Sequence, residues 1–124
     1  MLPNHQMVKA RKAIELLYDG TCTVTVKQEY EKDNGAIGFR EVAVLENEPC
    51  HLSFSNATSA KEGEVAATVS QVTELFISPE VSIAPGSKIT VTQNGVTTDY
   101  TRSGKPALYG THQQITLDLW KGWS

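Results

Sequence analysis

The sequence predicts a mainly β fold: a small antiparallel β-barrel of about six to seven strands with one N-terminal α-helix, in a single domain spanning residues 1–124. Three observations carry this. Beyond Thr21, apolar residues recur at every second position in one short segment after another, with polar turns between them. Helical spacing is clear only near the start of the chain. Asn94-Gly95, flanked by alternating residues, is a strong hairpin signal, because a two-residue type I′ turn needs φ > 0 at both central positions.

Met7, Ala10, Ile14 and Leu17 recur at helical spacing and Leu16 widens the stripe, which predicts a helix over about residues 5–18. Asn4 is the expected N-cap, and Asp19-Gly20 the stop, with Gly20 at a positive-φ position. This helix is expected to plug the open side or end of the barrel. A second reading makes it a docking helix whose basic face, Lys9, Arg11 and Lys12, meets an acidic partner.

A strand follows over about 21–31, with Cys22, Val24 and Val26 on one face. Glu31 to Gly35 is a polar turn. The next strand, about 38–46, has its alternation blurred by Val42, Val44 and Leu45, and Glu46-Asn47-Glu48-Pro49 breaks it. Cys50, Leu52 and Phe54 then alternate through a strand over about 49–55. Residues 56–66 are small, polar and glycine-containing, which predicts a flexible loop or a segment that orders only in an assembly. A strand over about 67–77 fits no strict alternation and is expected to be bulged.

Around Asn94-Gly95 the turn sets the register of strands 87–93 and 96–102. Gln93 should face Val96, Val91 should face Thr98, and Ile89 should face Tyr100. Ile89, Val91, Val96 and Tyr100 then share the apolar face. A glycine-bounded loop leads to a closing strand over about 112–120 and a tail holding Trp120 and Trp123. These two tryptophans either fold back on the barrel or anchor to a neighbour.

A net charge of −3 with scattered lysines and arginines argues against a strongly basic nucleic-acid surface. No apolar run approaches the roughly 20 residues a membrane helix needs. The N-terminus lacks the apolar core of a signal peptide, so a cytoplasmic protein with reduced cysteines is expected.

Motifs of nucleophilic catalysis, phosphate cradling and metal ligation are missing, and His5, His51 and His112 lie in separate elements. The expectation is no enzyme, no cofactor, no metal, and hence no catalytic residue. Phe39, Phe54, Phe76 and Tyr100 are assigned mostly to apolar faces, which disfavours base stacking. A small nucleic-acid-binding β-barrel nonetheless stands as the alternative of another class.

The run L-F-I-S-P-E-V-S-I-A-P-G-S-K-I-T-V from Leu75, continuing T-Q-N-G-V-T-T-D-Y-T-R-S-G-K-P-A-L-Y-G-T-H-Q-Q-I-T-L-D-L to Leu119, resembles small structural proteins encoded in the head-tail gene blocks of long-tailed phages and prophages of Gram-positive bacteria. The opening L-Y-D-G-T-C-T-V, Leu17 to Val24, is similar to their beginnings. Within that group the resemblance favours the head-completion, or stopper, proteins. It implies a small β-barrel that forms a ring beneath the portal and its adaptor, joins them to the tail and helps retain packaged DNA. A tail terminator or other minor virion protein is the neighbouring alternative.

The implied locations are the bacterial cytoplasm during assembly and the virion head-tail interface, with at most non-specific proximity to DNA. The isolated subunit is expected to be a monomer. On this reading Asn56, Ser59, Lys61, Glu62, Gly63 and Glu64 form the channel or assembly loop, and Lys9, Arg11, Lys12, Trp120 and Trp123 are the docking residues.

Overall fold

Asn94 and Gly95 both take positive φ, 54° and 76°, so the hairpin adopts the twist its flanking strands require. Its register is the one expected: Gln93 pairs Val96, Val91 pairs Thr98 and Ile89 pairs Tyr100. This hairpin is one unit of a computed structural model that describes residues 4–59 and 68–123.

The elements in chain order are α1 (Asn4–Glu15), β1 (Gly20–Glu31), β2 (Ile37–Ser59), β3 (Thr68–Ile77), β4 (Lys88–Gln93), β5 (Val96–Arg102), β6 (Ala107–Leu108) and β7 (Gln113–Leu119). The strands form one antiparallel sheet in the order β3-β2-β1-β4-β5-β7-β6. It closes on itself because β7 also pairs β3, Gln113–Leu117 against Thr73–Ile77. Alternation sends Cys22, Val24, Cys50, Leu52, Leu75, Ile77, Ile89, Val91, Tyr100, Ile115 and Leu117 inward to one core.

Several expectations are corrected. The separate strands over 38–46 and 49–55 are one 23-residue strand, β2. Instead of ending, the strand absorbs the irregular stretch as bulges: the register with β1 shifts on either side of Val24, and Asn47 sits at φ 51°. Those shifts explain why Val42, Val44 and Leu45 blur the sequence pattern. The bulge expected in β3 is absent, since its ladder with β2 runs unbroken from Cys50–Ile77 to Ser59–Thr68. Phe76 merely faces outward. The expected loop over 56–66 begins later, because Asn56 and Ser59 pair with Gln71 and Thr68. Val96 belongs to the inward-facing register but lies exposed at the hairpin tip. Strand β6, a two-residue rung on β7, has no signal in the sequence.

The helix is also shorter than expected and starts at Asn4 itself. It ends at Glu15, where Leu17 N–H donates to Ile14 O (2.9 Å) and Tyr18 N–H to Glu15 O (3.0 Å), tightening the last turn. Leu16 is thereby turned out to water, 87% exposed, and does not widen the stripe. Gly20 is no positive-φ stop. It opens β1 between β2 and β4, where a Cβ would stand 2.9 Å from the Thr92 carbonyl oxygen. Close backbone approach therefore explains this glycine.

The helix does not plug an end of the closed sheet. Ile14, Leu17 and Tyr18 lie over His51, Ser53, Phe76 and Gln114, whose positions alternate with core residues and so face outward. One end is closed instead by the strap between β3 and β4, where Ile83 is buried and Val81 packs on the core. Two inward side chains hold the strap. Gln113 donates from Nε2 to the carbonyls of Ser78 (2.9 Å) and Val81, and Arg102 Nη1 donates to Ile83 O (2.7 Å). At the other end β1 stops at Gly20, leaving the edges of β2 and β4 that faced it without a strand between them. The Gln93 amide bridges them, accepting from Leu52 N–H (2.7 Å) and donating to Leu52 O (3.1 Å), much as a strand peptide would.

Candidate functional site

Two hairpins run past the closed part of the sheet. Strand β1 pairs β4 only from Gly20 to Thr25; from Val26 to Glu31 it pairs β2 alone. Likewise β3 pairs β7 only from Thr73, and Thr68 to Val72 pair β2 alone. Strand β2 is common to both, so one continuous strand carries an arm at each of its ends. At ~3.3 Å per residue its contour is about 75 Å.

The first arm is a two-stranded ribbon closed by a tight turn. Lys32 N–H donates to Ala36 O, Asn34 Oδ1 accepts from Ala36 N–H, and Gly35 takes φ 86°. A ribbon with water on both faces has little core, and its side chains pair across the strands instead. The Lys27 ammonium sits 4.4 Å from the Phe39 ring centre, and the Arg40 guanidinium 5.4 Å from that of Tyr30. The Tyr30 ring lies over Gly38, where a Cβ would come within 3.0 Å of it. Ile37 and Phe39 remain more than half exposed. Lys27, Lys32 and Arg40 alternate with Glu29, Glu31, Asp33 and Glu41, so the ribbon has mixed charge and makes no basic track.

At the root of the second arm stands Phe54, opposite Thr73 and also half exposed. Phe54 and Val96 line an apolar cleft of about 220 Å³ whose floor is Leu52 and Tyr100. This is the end of the closed sheet that the strap does not cover. The assignment of Phe39 and Phe54 to buried faces is therefore corrected: both stand at the ends of the sheet, beyond the strands that would cover them. Phe76 is half-buried beneath α1, and Tyr100 is in the core.

Of the expected loop residues, Asn56 and Ser59 lie in the second arm, and Lys61, Glu62, Gly63 and Glu64 lie outside the described residues. Of the expected docking residues, Arg11 is engaged within the chain. Its guanidinium forks onto both Glu80 oxygens at 2.6 Å and also reaches Glu15 (2.9 Å). These bonds hold the Glu80 carboxyl down at about 2, with the Ser78 hydroxyl contributing after Arg11. Lys9 and Lys12 stay exposed.

Trp120 and Trp123 fold back and meet edge to face at 4.6 Å. Trp123 Nε1 donates to Glu41 Oε1 (3.2 Å), and Glu41 pairs with Lys88 (2.8 Å). Lys88, ahead of Trp123, holds the Glu41 carboxyl below its usual range.

The structure brings together groups that spacing kept apart. His51 and His112 flank Phe76 at 6.1 and 5.5 Å, and Tyr109 stacks on His112 at 4.9 Å. His51 Nδ1 lies 2.8 Å from Asp19 Oδ1, and His51 depresses the Asp19 carboxyl. Cys22 and Cys50 are fully buried and free. A hydrogen bond with Cys50 and then burial push the Cys22 thiol up, so it stays protonated. Among the described residues, no group of three or more His, Cys, Asp or Glu side chains is arranged to hold a metal, and no helix is long and apolar enough to cross a membrane.

No family model matches the chain, and no curated protein matches it. Among solved structures it is similar to the protein xkdH of the phage-like element PBSX from Bacillus subtilis. The identity is 10%, the TM-score 0.46, and the likeness covers 81% of this chain and 90% of that one.

Proposed function

We propose that this chain is a structural virion protein of the phage head-tail interface, of the head-completion type. In this reading it forms a ring that joins the portal-adaptor assembly to the tail and helps retain packaged DNA, and it performs no reaction. The observation that supports this best is the pair of arms at opposite ends of β2. A ring needs two different patches on each subunit, each meeting the other on a neighbour. A small closed sheet with an arm at each end of β2 supplies two such patches, one on the first arm and one at the root of the second. Phe39 with Ile37 forms one, and Phe54 with Val96 the other.

The sequence resemblance through Leu75–Leu119 points the same way. The second arm leads directly into the segment holding Lys61, Glu62, Gly63 and Glu64, the proposed channel-facing loop. Lys9 and Lys12 are the proposed basic docking residues, and Trp120 and Trp123 the aromatic ones.

Deleting the gene from a producing lysogen tests the reading. Full-length tails beside DNA-filled or leaking tailless heads are expected, with the chain present in wild-type virions. Tails of uncontrolled length would favour a tail terminator, and normal virions lacking the chain would overturn the proposal. Phe39→Asp and Phe54→Asp chains should remain folded yet fail to restore infectivity.

A further inference from the structure

We infer that α1 is a hinged cover that opens as a local unit while the closed sheet beneath it stays folded. This rests on how α1 is held and does not depend on the proposed virion role. At 12 residues the helix is near the length below which helices are marginal in water without tertiary packing. Its first turn contains no acid to complement the N-terminal dipole.

The packing it receives is thin. Met7 touches Gly110, where a Cβ would stand 2.6 Å from the methionine methyl. Ile14 lies over a cavity of about 350 Å³ between helix and sheet, with Phe76 and His112 opposite. The space is open to water at its rim, so the facing side chains meet across it only in part. Leu17, at the rim, is 62% exposed.

Among the described residues, the side-chain polar attachment of α1 to the rest of the chain is at Arg11 and lies near water. Arg11 holds Glu80 and Ser78 from a position about a third exposed, and Glu80 is two-thirds exposed. Ion pairs in that setting contribute little. By contrast, Ile89 and Val91 of β4 are fully buried, and their strand is laddered on both sides by β1 and β5. The free energy of opening α1 therefore lies well below that of the sheet. Opening carries the helix off the row of His51, Phe76 and His112 and leaves the hinge at Tyr18-Asp19, where the chain enters β1.

Native-state hydrogen exchange on the full chain tests this. Amides of residues 8–15 are expected to exchange at least about 100-fold faster than those of Ile89, Val91 and Ile115. Arg11→Gln should raise the exchange of α1 several-fold further, and Ile14→Phe, which fills the cavity, should lower it. Both variants should leave the sheet amides unchanged. A common rate for helix and sheet, or an Arg11→Gln variant that speeds both alike, would overturn the inference.

Discussion

Replacing Gln113 by leucine removes the side chain that holds the strap across the closed end. Gln113 is 2% exposed, and its amide nitrogen donates to two backbone carbonyls, Ser78 at 2.9 Å and Val81. Ser78 O keeps the Val81 N–H (3.2 Å), so the Val81 carbonyl is the group that loses its partner. Two lost hydrogen bonds at ~1 kcal/mol each, plus ~1 kcal/mol or more for a stranded carbonyl, exceed what leucine's extra apolar surface returns. A net loss of about 2–3 kcal/mol follows. In urea, where ~1–3 kcal/mol per molar is typical, the midpoint should fall by about 0.7–3 M. Gln113→Glu separates donor loss from shape. A carboxylate facing carbonyl oxygens should be worse than leucine at pH 7 and should recover part of the gap below about pH 5, as the acid regains a donor proton. A Gln113→Leu loss under about 0.5 kcal/mol, or Leu and Glu variants alike at every pH, would refute the reasoning.

Gly20→Ala should cost about 1–3 kcal/mol by thermal or urea unfolding, because its Cβ would meet the Thr92 carbonyl and Gln93 and disturb the Gln93 bridge to Leu52. Both thiols should resist DTNB at pH 8 in the folded protein and react together in denaturant; rapid reaction of either in the native state would contradict the burial of Cys22 and Cys50. Burial lowers the His112 pKa, so the unfolded chain binds a proton there that the folded one refuses. Stability should therefore be full above about pH 6.5 and fall as the pH drops through the depressed folded value, and His112→Gln should flatten that part of the profile. The Glu80 carboxyl, held at about 2, works in the acid range: its bond to Arg11 is present above the ordinary carboxylate pKa near ~4.3 and lost as the pH falls towards 2. Protection of the α1 amides, taken relative to the intrinsic exchange rate at each pH, should thus fall below about pH 4.

How much of the fold was legible depends on the range of the interactions. The stripe Met7, Ala10 and Ile14 lies within one helix, and those residues do face the sheet side. The inward direction of Cys22, Val24, Cys50 and Leu52 also follows from local alternation. Asn47 misled because a turn-like residue beside Pro49 reads as a break, whereas a bulge opposite Val24 accommodates both within one strand. Gly20 misled for the same kind of reason: a glycine after a helix suggests a cap, and its close approach to Thr92 depends on a strand some seventy residues away. The candidate site was the least legible part. Phe39 and Phe54 alternate as core residues do, and only the lengths of the neighbouring strands leave them uncovered.

By itself the sequence determined the β class, the Asn94-Gly95 hairpin with its residue-by-residue register, and the inward direction of Cys22, Val24, Cys50, Leu52, Ile89, Val91, Tyr100, Ile115 and Leu117. Each follows from backbone sterics and side-chain period over a few consecutive residues. The tertiary structure alone decided that β3 meets β7 to close the sheet, that Gln113 and Arg102 hold the strap, and that α1 lies outside. Those outcomes turn on which distant strand ends first and which polar group then lacks a partner, and no local pattern encodes either.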